Sequence, residues 1–398
     1  MFSIKRFLGV DKDDAPLLYC AYFAFFCSGM MANVLGCVLP YIRESYGFDY
    51  SFQGLLSSVN QIGNLCAVLL SGFLPYAIGR KNSTVILGSG IVLGLLLIAI
   101  TGNPFVLLLA FVLAGVGRGT MSNITNVIVG QYASNKIAGL NLLHATFAIG
   151  AVISPSVVAS LGPERWRIPL VTISLFMAFS LFMIMRSRLE NSPTKKEKDE
   201  ATIPLAFSFW LNTFILFFYL CCEASLMNWL VTYLKDSGIF SSGISNLMAS
   251  CLWVTILIGR LLCAYIASKM NKSILILILA LMLTGFYTLI ILSSNAILIF
   301  LGILGVGLSM SGIYPTTLGT QEKKFNKSTI ATGTCLAVAT LGSIIMPIVI
   351  GHVAQDYGIK TGMATIFVAL ICLLLLIVVK VIYNFRVEQK NRYRASTL

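Results

Sequence analysis

The sequence predicts an all-α integral membrane protein, with twelve transmembrane helices in two pseudo-symmetric six-helix bundles. Three observations carry that prediction. Hydrophobic residues make up 57% of the 398 residues and charged residues only 11%, less than half the ~25% charge of a soluble domain. Twelve apolar runs follow one another with short connections, and twelve spans of ~20 residues need roughly 240 residues, which matches the hydrophobic content. The third observation is an internal repeat: displacing the chain by 192 residues brings its second half onto its first at several places without gaps.

The apolar runs cover roughly 16–40, 51–76, 83–102, 104–131, 138–161, 167–186, 204–234, 243–267, 273–293, 295–320, 327–355 and 361–383. The N-terminus has no small-residue cleavage site after a short apolar core, so the first run is retained as a helix. Between runs six and seven lies the one long charged segment, Arg186 to Pro204, too polar to bury. These features predict an N-terminal bundle over 1–187, a cytoplasmic linker over 188–203, and a C-terminal bundle with a short cytoplasmic tail over 204–398. No stretch is long and polar enough for an extramembrane catalytic domain.

The net charge of +13 is distributed as short basic groups beside apolar runs, not along one face interleaved with aromatics. That excludes a nucleic-acid partner and points to the lipid bilayer and membrane topology. With the N-terminus inside, twenty-one of the twenty-eight Lys and Arg residues fall on the cytoplasmic side and five outside, while Arg118 and Arg260 lie within helices. The bias places both termini in the cytoplasm of a multi-pass cell-membrane protein. All ten cysteines fall inside predicted spans without metal-ligand or C-x-x-C spacing, and read as small packing residues. No cofactor is expected, and no catalytic triad, metal cluster or phosphate-cradling loop points to an enzyme.

The repeat has several anchors. Tyr41-Ile42-Arg43-Glu44-Ser45 matches Tyr233-Leu234-Lys235-Asp236-Ser237, and Gly115 matches Gly307. Gly150 and Pro155 match Gly342 and Pro347, and Arg80 matches Lys272. Two halves of the same orientation make a parallel repeat, whose substrate site is expected at their interface near the midplane.

Of fifteen carboxylates, only Glu223 falls well within a span. Placing a charge there costs ~2.5–3.5 kcal/mol on insertion scales, so such residues are usually functional. Desolvation disfavours the ionised carboxylate, which suits a group that loads and releases a proton. His144, in run five, is a second proton-relay or sugar-ligand candidate, with packing as the alternative. His352 has no expected role. Asn60, Gln61 and Asn64 form a polar group in run two that reads as interhelical glue or gating.

Gly72-Phe73-Leu74-Pro75-Tyr76-Ala77-Ile78-Gly79-Arg80-Lys81 resembles the cytoplasmic loop motif of the major facilitator superfamily, G-x-L-x-D-R-x-G-R-K. Gly72, Gly79, Arg80 and Lys81 match, and the resemblance implies a gating role for them. Tyr76 replaces the acidic residue and Ala77 the next basic one, which removes the usual charge relay. With the twelve spans and the repeat, the resemblance covers essentially the whole chain.

Three segments are similar to the fucose/glucose/galactose proton symporters of that superfamily: Asn141 to Ala151 with Pro155, Glu223 to Tyr233, and Gly307 to Thr316, which includes Tyr314. The resemblance implies secondary active transport by alternating access, the proton-coupled symport of a monosaccharide or similar small polar solute, and function as a monomer. Glu223 then carries the proton, while Asn228, Asn123, Asn126 and Tyr314 contact solute. An ideal helix sets Asn228 about 140° round from Glu223, so both face one ligand only across a local kink. Trp229 serves as a sugar-stacking face or an interfacial belt residue. For Arg118, pairing with Glu223, contact with an anionic substrate and bonding to helix carbonyls all stay open. The rival reading is a proton-coupled drug or metabolite exporter, but Gly150 to Ser156 lacks the trailing glycines of the exporters' helix-five motif. A membrane sensor or scaffold would require a larger soluble domain.

Overall fold

A computed structural model describes residues 15–133, 135–187, 189, 206–321 and 329–396. The described chain is helical almost throughout. Its helices are α1 Ala15–Tyr46, α2 Tyr50–Ile78, α3 Arg80–Ile100, α4 Pro104–Tyr132, α5 Lys136–Leu161, α6 Arg167–Arg186, α7 Phe207–Asp236, α8 Ser242–Ile266, α9 Lys272–Leu292, α10 Ala296–Gly319, α11 Thr329–Tyr357, α12 Ile359–Ala364 and α13 Ile366–Ser396. Among the described residues, eleven helices are long and apolar enough to cross a membrane, counting α12 with α13 as one. The remaining predicted span is α2, 29 residues long. It buries Gln53, Ser57, Ser58 and Asn60, so its polar face turns inward. Run twelve is broken at Thr365 between α12 and α13, and α13 continues through the polar tail to Ser396. The expected linker 188–203 lies, apart from Leu189, outside the described residues.

The 192-residue repeat extends to the helix boundaries. Helices α2, α3 and α4 begin at Tyr50, Arg80 and Pro104, and α8, α9 and α10 begin at Ser242, Lys272 and Ala296. Caps recur at the same offset. Asn103 Oδ1 accepts from the Phe105 and Val106 amides, and Asn295 Oδ1 accepts from those of Ile297 and Leu298. Each satisfies helix N–H groups that have no intrahelical partner.

Packing repeats as well. A side chain at Gly115 in α4 would strike the Asn60 carbonyl of α2, and one at Gly307 in α10 would strike the Leu252 carbonyl and Thr255 hydroxyl of α8. Gly150 in α5 lies against the Phe26 carbonyl of α1, as Gly342 in α11 lies against the Phe217 carbonyl of α7. In lipid, helices gain nothing from hiding apolar surface from water, so adhesion comes from close backbone approach and interhelical hydrogen bonds. Asn33 in α1 donates to the Ala151 carbonyl of α5 at 2.8 Å, and Ser174 in α6 to the Val92 carbonyl of α3 at 3.0 Å. Large apolar residues such as Leu175, Leu281 and Val368 point outward, a surface suited to hydrocarbon rather than water.

The chain packs as two compact units. One comprises Met1–Glu197 with Met227–Ser250, and the other Lys198–Leu226 with Cys251–Leu398. The end of α7 and the start of α8 therefore pack with the N-terminal helices. The repeat predicts that Gly115→Ala and Gly307→Ala each cost about 1–3 kcal/mol through overpacking, whereas Gly285→Ala, with open space around it, is near neutral. Thermal unfolding in detergent checks this, and an unshifted midpoint for either packing glycine would contradict it.

Candidate transport site

In the second unit, Glu223 stands half-buried on α7, one turn after Tyr219. The Tyr219 hydroxyl is 2.9 Å from Glu223 Oε1 and 3.0 Å from the Met310 carbonyl oxygen of α10. Tyr219 is almost fully buried, and its ring lies 6.1 Å from that of Tyr314, one turn along α10 from Met310. The structure thus brings Glu223 and Tyr314 together around Tyr219, a residue the sequence analysis missed. The signal was available, because residues four apart on a helix are neighbours.

The other α7 residues are arranged differently. Helix α7 runs as one helix from Phe207 to Asp236. Asn228 is half-buried in the first unit. Trp229 is fully buried, its ring 6.2 Å from that of Tyr50, and its indole N–H has no hydrogen-bond partner among the described residues. In this conformation it is neither an interfacial belt residue nor an exposed sugar platform.

In the first unit, glycines 115, 117 and 119 bring α4 against α2 and α3. Between them Arg118 donates to Gln61 Oε1 of α2 at 2.8 Å, an amide partner absent from the three roles considered for it. Asn60 donates to the Phe111 carbonyl at 2.9 Å, acting as interhelical glue. Asn123 donates to the Ser71 hydroxyl at 2.9 Å and opens on a cavity of about 230 Å³ among α2, α3 and α4, lined also by Tyr76, Arg80 and Thr120. Asn126 donates to its own helix at the Ser122 carbonyl, 2.7 Å away. His144 is exposed and edge-on to Phe25, with ring centroids 5.5 Å apart.

Comparison with known proteins places this geometry. The model of the Major Facilitator Superfamily matches residues 21–334. This chain belongs to the Major Facilitator Superfamily. It is 23% identical over 373 residues to the glucose/mannose transporter GlcP of Bacillus subtilis (strain 168), covering 88% of this chain and 92% of that one. Among solved structures it resembles a bacterial homolog of the human lysosomal transporter Spinster, in an inward-facing and occupied conformation. The TM-score there is 0.75 at 11% identity, over 93% of this chain and 97% of the other. The D-xylose-proton symporter gives 0.74 at 13% identity, over 92% and 97% of the two chains. As a member of the superfamily the chain is a multi-pass membrane transporter, not an enzyme.

The superfamily's cytoplasmic loop motif forms the α2–α3 junction. Gly72 falls within α2. Gly79 has φ +84° between the two helices, a left-handed conformation that favours glycine. Arg80 donates to Gln131 Oε1 at 2.9 Å and Lys81 to the Ser187 carbonyl at 2.6 Å, reaching the ends of α4 and α6.

One of the basic residues counted on the cytoplasmic side is buried. Lys380, assigned to the cytoplasmic flank, is 3% exposed on α13. Its ammonium donates to Asn212 Oδ1 of α7 at 2.7 Å and to Thr320 Oγ1 at 2.6 Å, just past the end of α10. There it neutralises the negative end of the α10 dipole. Removing the amide in Asn212→Leu is expected to cost about 1.5–3 kcal/mol, the value of a hydrogen bond to a charged group. Lys380→Met/Asn212→Leu should recover much of that, because the buried charge goes with its partner. Thermal unfolding of the four-member cycle checks this, and purely additive losses would contradict it.

Proposed function

We propose that this transporter is a proton-coupled symporter that takes up a monosaccharide or similar small polar solute by alternating access. In this reading it works as a monomer in the cell membrane, with both termini cytoplasmic and six-helix bundles over 1–187 and 204–398 joined by a linker over 188–203. Glu223 carries the proton, with His144 the second candidate. Asn228, Asn123, Asn126, Arg118 and Tyr314 contact solute, joined by Trp229 when the outer ends of the helices part and uncover its unpaired N–H. Gly72, Gly79, Arg80 and Lys81 form the gating loop on the cytoplasmic side. The names of the glucose/mannose relative and of the xylose-proton neighbour support the solute class and the coupling ion.

The observation that carries the reading is the position of Tyr219. Its hydroxyl has one hydrogen and two acceptors in reach, Glu223 Oε1 and the Met310 carbonyl. When Glu223 is ionised, that hydrogen goes to the carboxylate, the stronger acceptor, and the Met310 carbonyl loses it. When Glu223 is protonated, the carboxylic acid donates to the Tyr219 oxygen and Tyr219 donates to Met310. Loading the proton removes a charge from membrane depth and adds a hydrogen bond between α7 and α10. Removing the charge lowers the cost of moving the loaded carrier.

Glu223→Gln imitates the neutral acid in size and shape. Uphill accumulation driven by an imposed proton gradient should collapse in this variant, while exchange of solute at equal concentrations persists. Solute affinity should fall as pH rises in the wild type and stay flat in Glu223→Gln, because only the wild type loses a proton. Transport by proteoliposomes supplied with glucose, mannose, galactose, fucose or xylose checks both. Full gradient-driven accumulation by Glu223→Gln would remove the residue as proton carrier and leave His144.

A further inference from the structure

The cavity among α2, α3 and α4 carries chemistry that transport of a neutral solute does not use. Its volume of about 230 Å³ is well above the ~30 Å³ share of one water molecule. It falls below the ~300–1,000 Å³ of pockets that hold drug-sized ligands, so it suits a compact group. Ser83, Thr84 and Thr120 form a buried part of its wall, whereas Tyr76 and Asn123 are exposed and Arg80 is half-buried. The polar lining therefore runs from hydroxyls inside to a guanidinium nearer the mouth.

Each of those hydroxyls has one hydrogen, and each gives it to its own helix. Ser83 donates to the Gly79 carbonyl at 2.7 Å, Thr84 to the Arg80 carbonyl at 2.8 Å and Thr120 to the Val116 carbonyl at 2.9 Å. What they offer a ligand is oxygen lone pairs. Asn123 donates through Nδ2 to the Ser71 hydroxyl, and its carbonyl oxygen is a further acceptor. Such a wall calls for a ligand that donates hydrogens. No carboxylate lies among the described residues of the lining, and Arg80 repels a cation, so the donors are hydroxyls. An acyl chain would leave the buried hydroxyls against hydrocarbon. Arg80 sets the other end of the ligand. It donates to a neutral amide, Gln131, and is the first residue of α3, where the helix dipole adds positive potential. A guanidinium fork there matches a phosphate group.

We propose that this cavity binds the phosphate ester of a polyol, its hydroxyls on Ser83, Thr84, Thr120 and Asn123 and its phosphate on Arg80. A soluble sugar or glycerol phosphate and the headgroup of phosphatidylglycerol share that chemistry. Asn123 and Arg80 also belong to the solute and gating sets proposed above, but binding of the ester rests on neither role. It uses neither Glu223 nor the coupling proton. Only the name of its side, cytoplasmic, depends on the proposed topology.

The test is calorimetric titration of the full-length protein, delipidated in detergent. The probes are glucose 6-phosphate, glycerol 3-phosphate and short-chain phosphatidylglycerol, with inorganic phosphate and short-chain phosphatidylcholine as controls. A soluble ester binding about tenfold tighter than inorganic phosphate assigns the site to a metabolite, and phosphatidylglycerol binding about tenfold tighter than phosphatidylcholine assigns it to a lipid. Either result supports the proposal. For the probe that binds, Arg80→Gln should weaken affinity at least about tenfold, the loss of a charge-assisted hydrogen bond. Thr120→Val, which replaces the hydroxyl by a methyl of similar size, should weaken it by roughly two- to tenfold. Should Arg80→Gln fail to fold, Arg80→Lys takes its place, keeping the charge and losing the fork. The ranking of probes by the wild type needs no variant. Glu223→Gln, which alters the proposed transport site in the other unit, should leave ester binding unchanged. The proposal is overturned if no ester exceeds its control, if Arg80 and Thr120 variants bind like the parent, or if Glu223→Gln changes the affinity, which would place the ester in the transport site.

Discussion

Hydrocarbon offers no partner to a polar group, and the rest of this structure follows from that constraint. It commits the backbone to helices, whose hydrogen bonds close within each segment. It also removes the usual reason for helices to associate, since lipid tails are as apolar as leucine. What remains is close contact at small residues, and the chain supplies it at equivalent places in both halves. Gly115 and Gly307 set α2 against α4 and α8 against α10, while Gly150 and Gly342 set α1 against α5 and α7 against α11.

The same constraint sorts the polar side chains by purpose. Asn33 and Asn60 donate to carbonyls on neighbouring helices and act as adhesive. Lys380 is held by an amide and a hydroxyl at the end of α10 and ties three segments together. Glu223 differs, because its hydroxyl neighbour Tyr219 also reaches a backbone carbonyl on another helix. A proton added to that acid changes both the local charge and the direction of a shared hydrogen bond. In the proposed symport the linkage gives coupling a physical form, since a ligand or proton shifts an equilibrium only through interactions that differ between its states.

Much of the architecture was legible because repetition leaves a trace in sequence. The offset of 192 seen in a few glycines, prolines and charges also gives the starts of three helix pairs and their caps. The apolar runs showed the spans, although α2 hides polar residues on its inward face and run twelve breaks at Thr365. Glu223 stood out because a lone carboxylate in an apolar run is costly. Its partner Tyr219 did not, because a tyrosine in a span is common and only packing reveals the Met310 carbonyl beside it. Trp229 and Asn123 needed packing too. One is buried beneath Tyr50 and the other turned toward Ser71, and neither orientation follows from helical spacing alone. Lys380 read as a flanking charge because periodicity does not say which face of α13 meets α7.

The most direct test of the central claim, that solute and proton move together, is to count the protons that accompany solute. Proteoliposomes carrying the wild-type protein and an internal pH-sensitive dye would receive a hexose on the outside, with no pH difference imposed. The account predicts that the lumen acidifies in proportion to solute entry. Solute entry with an unchanged luminal pH would contradict it.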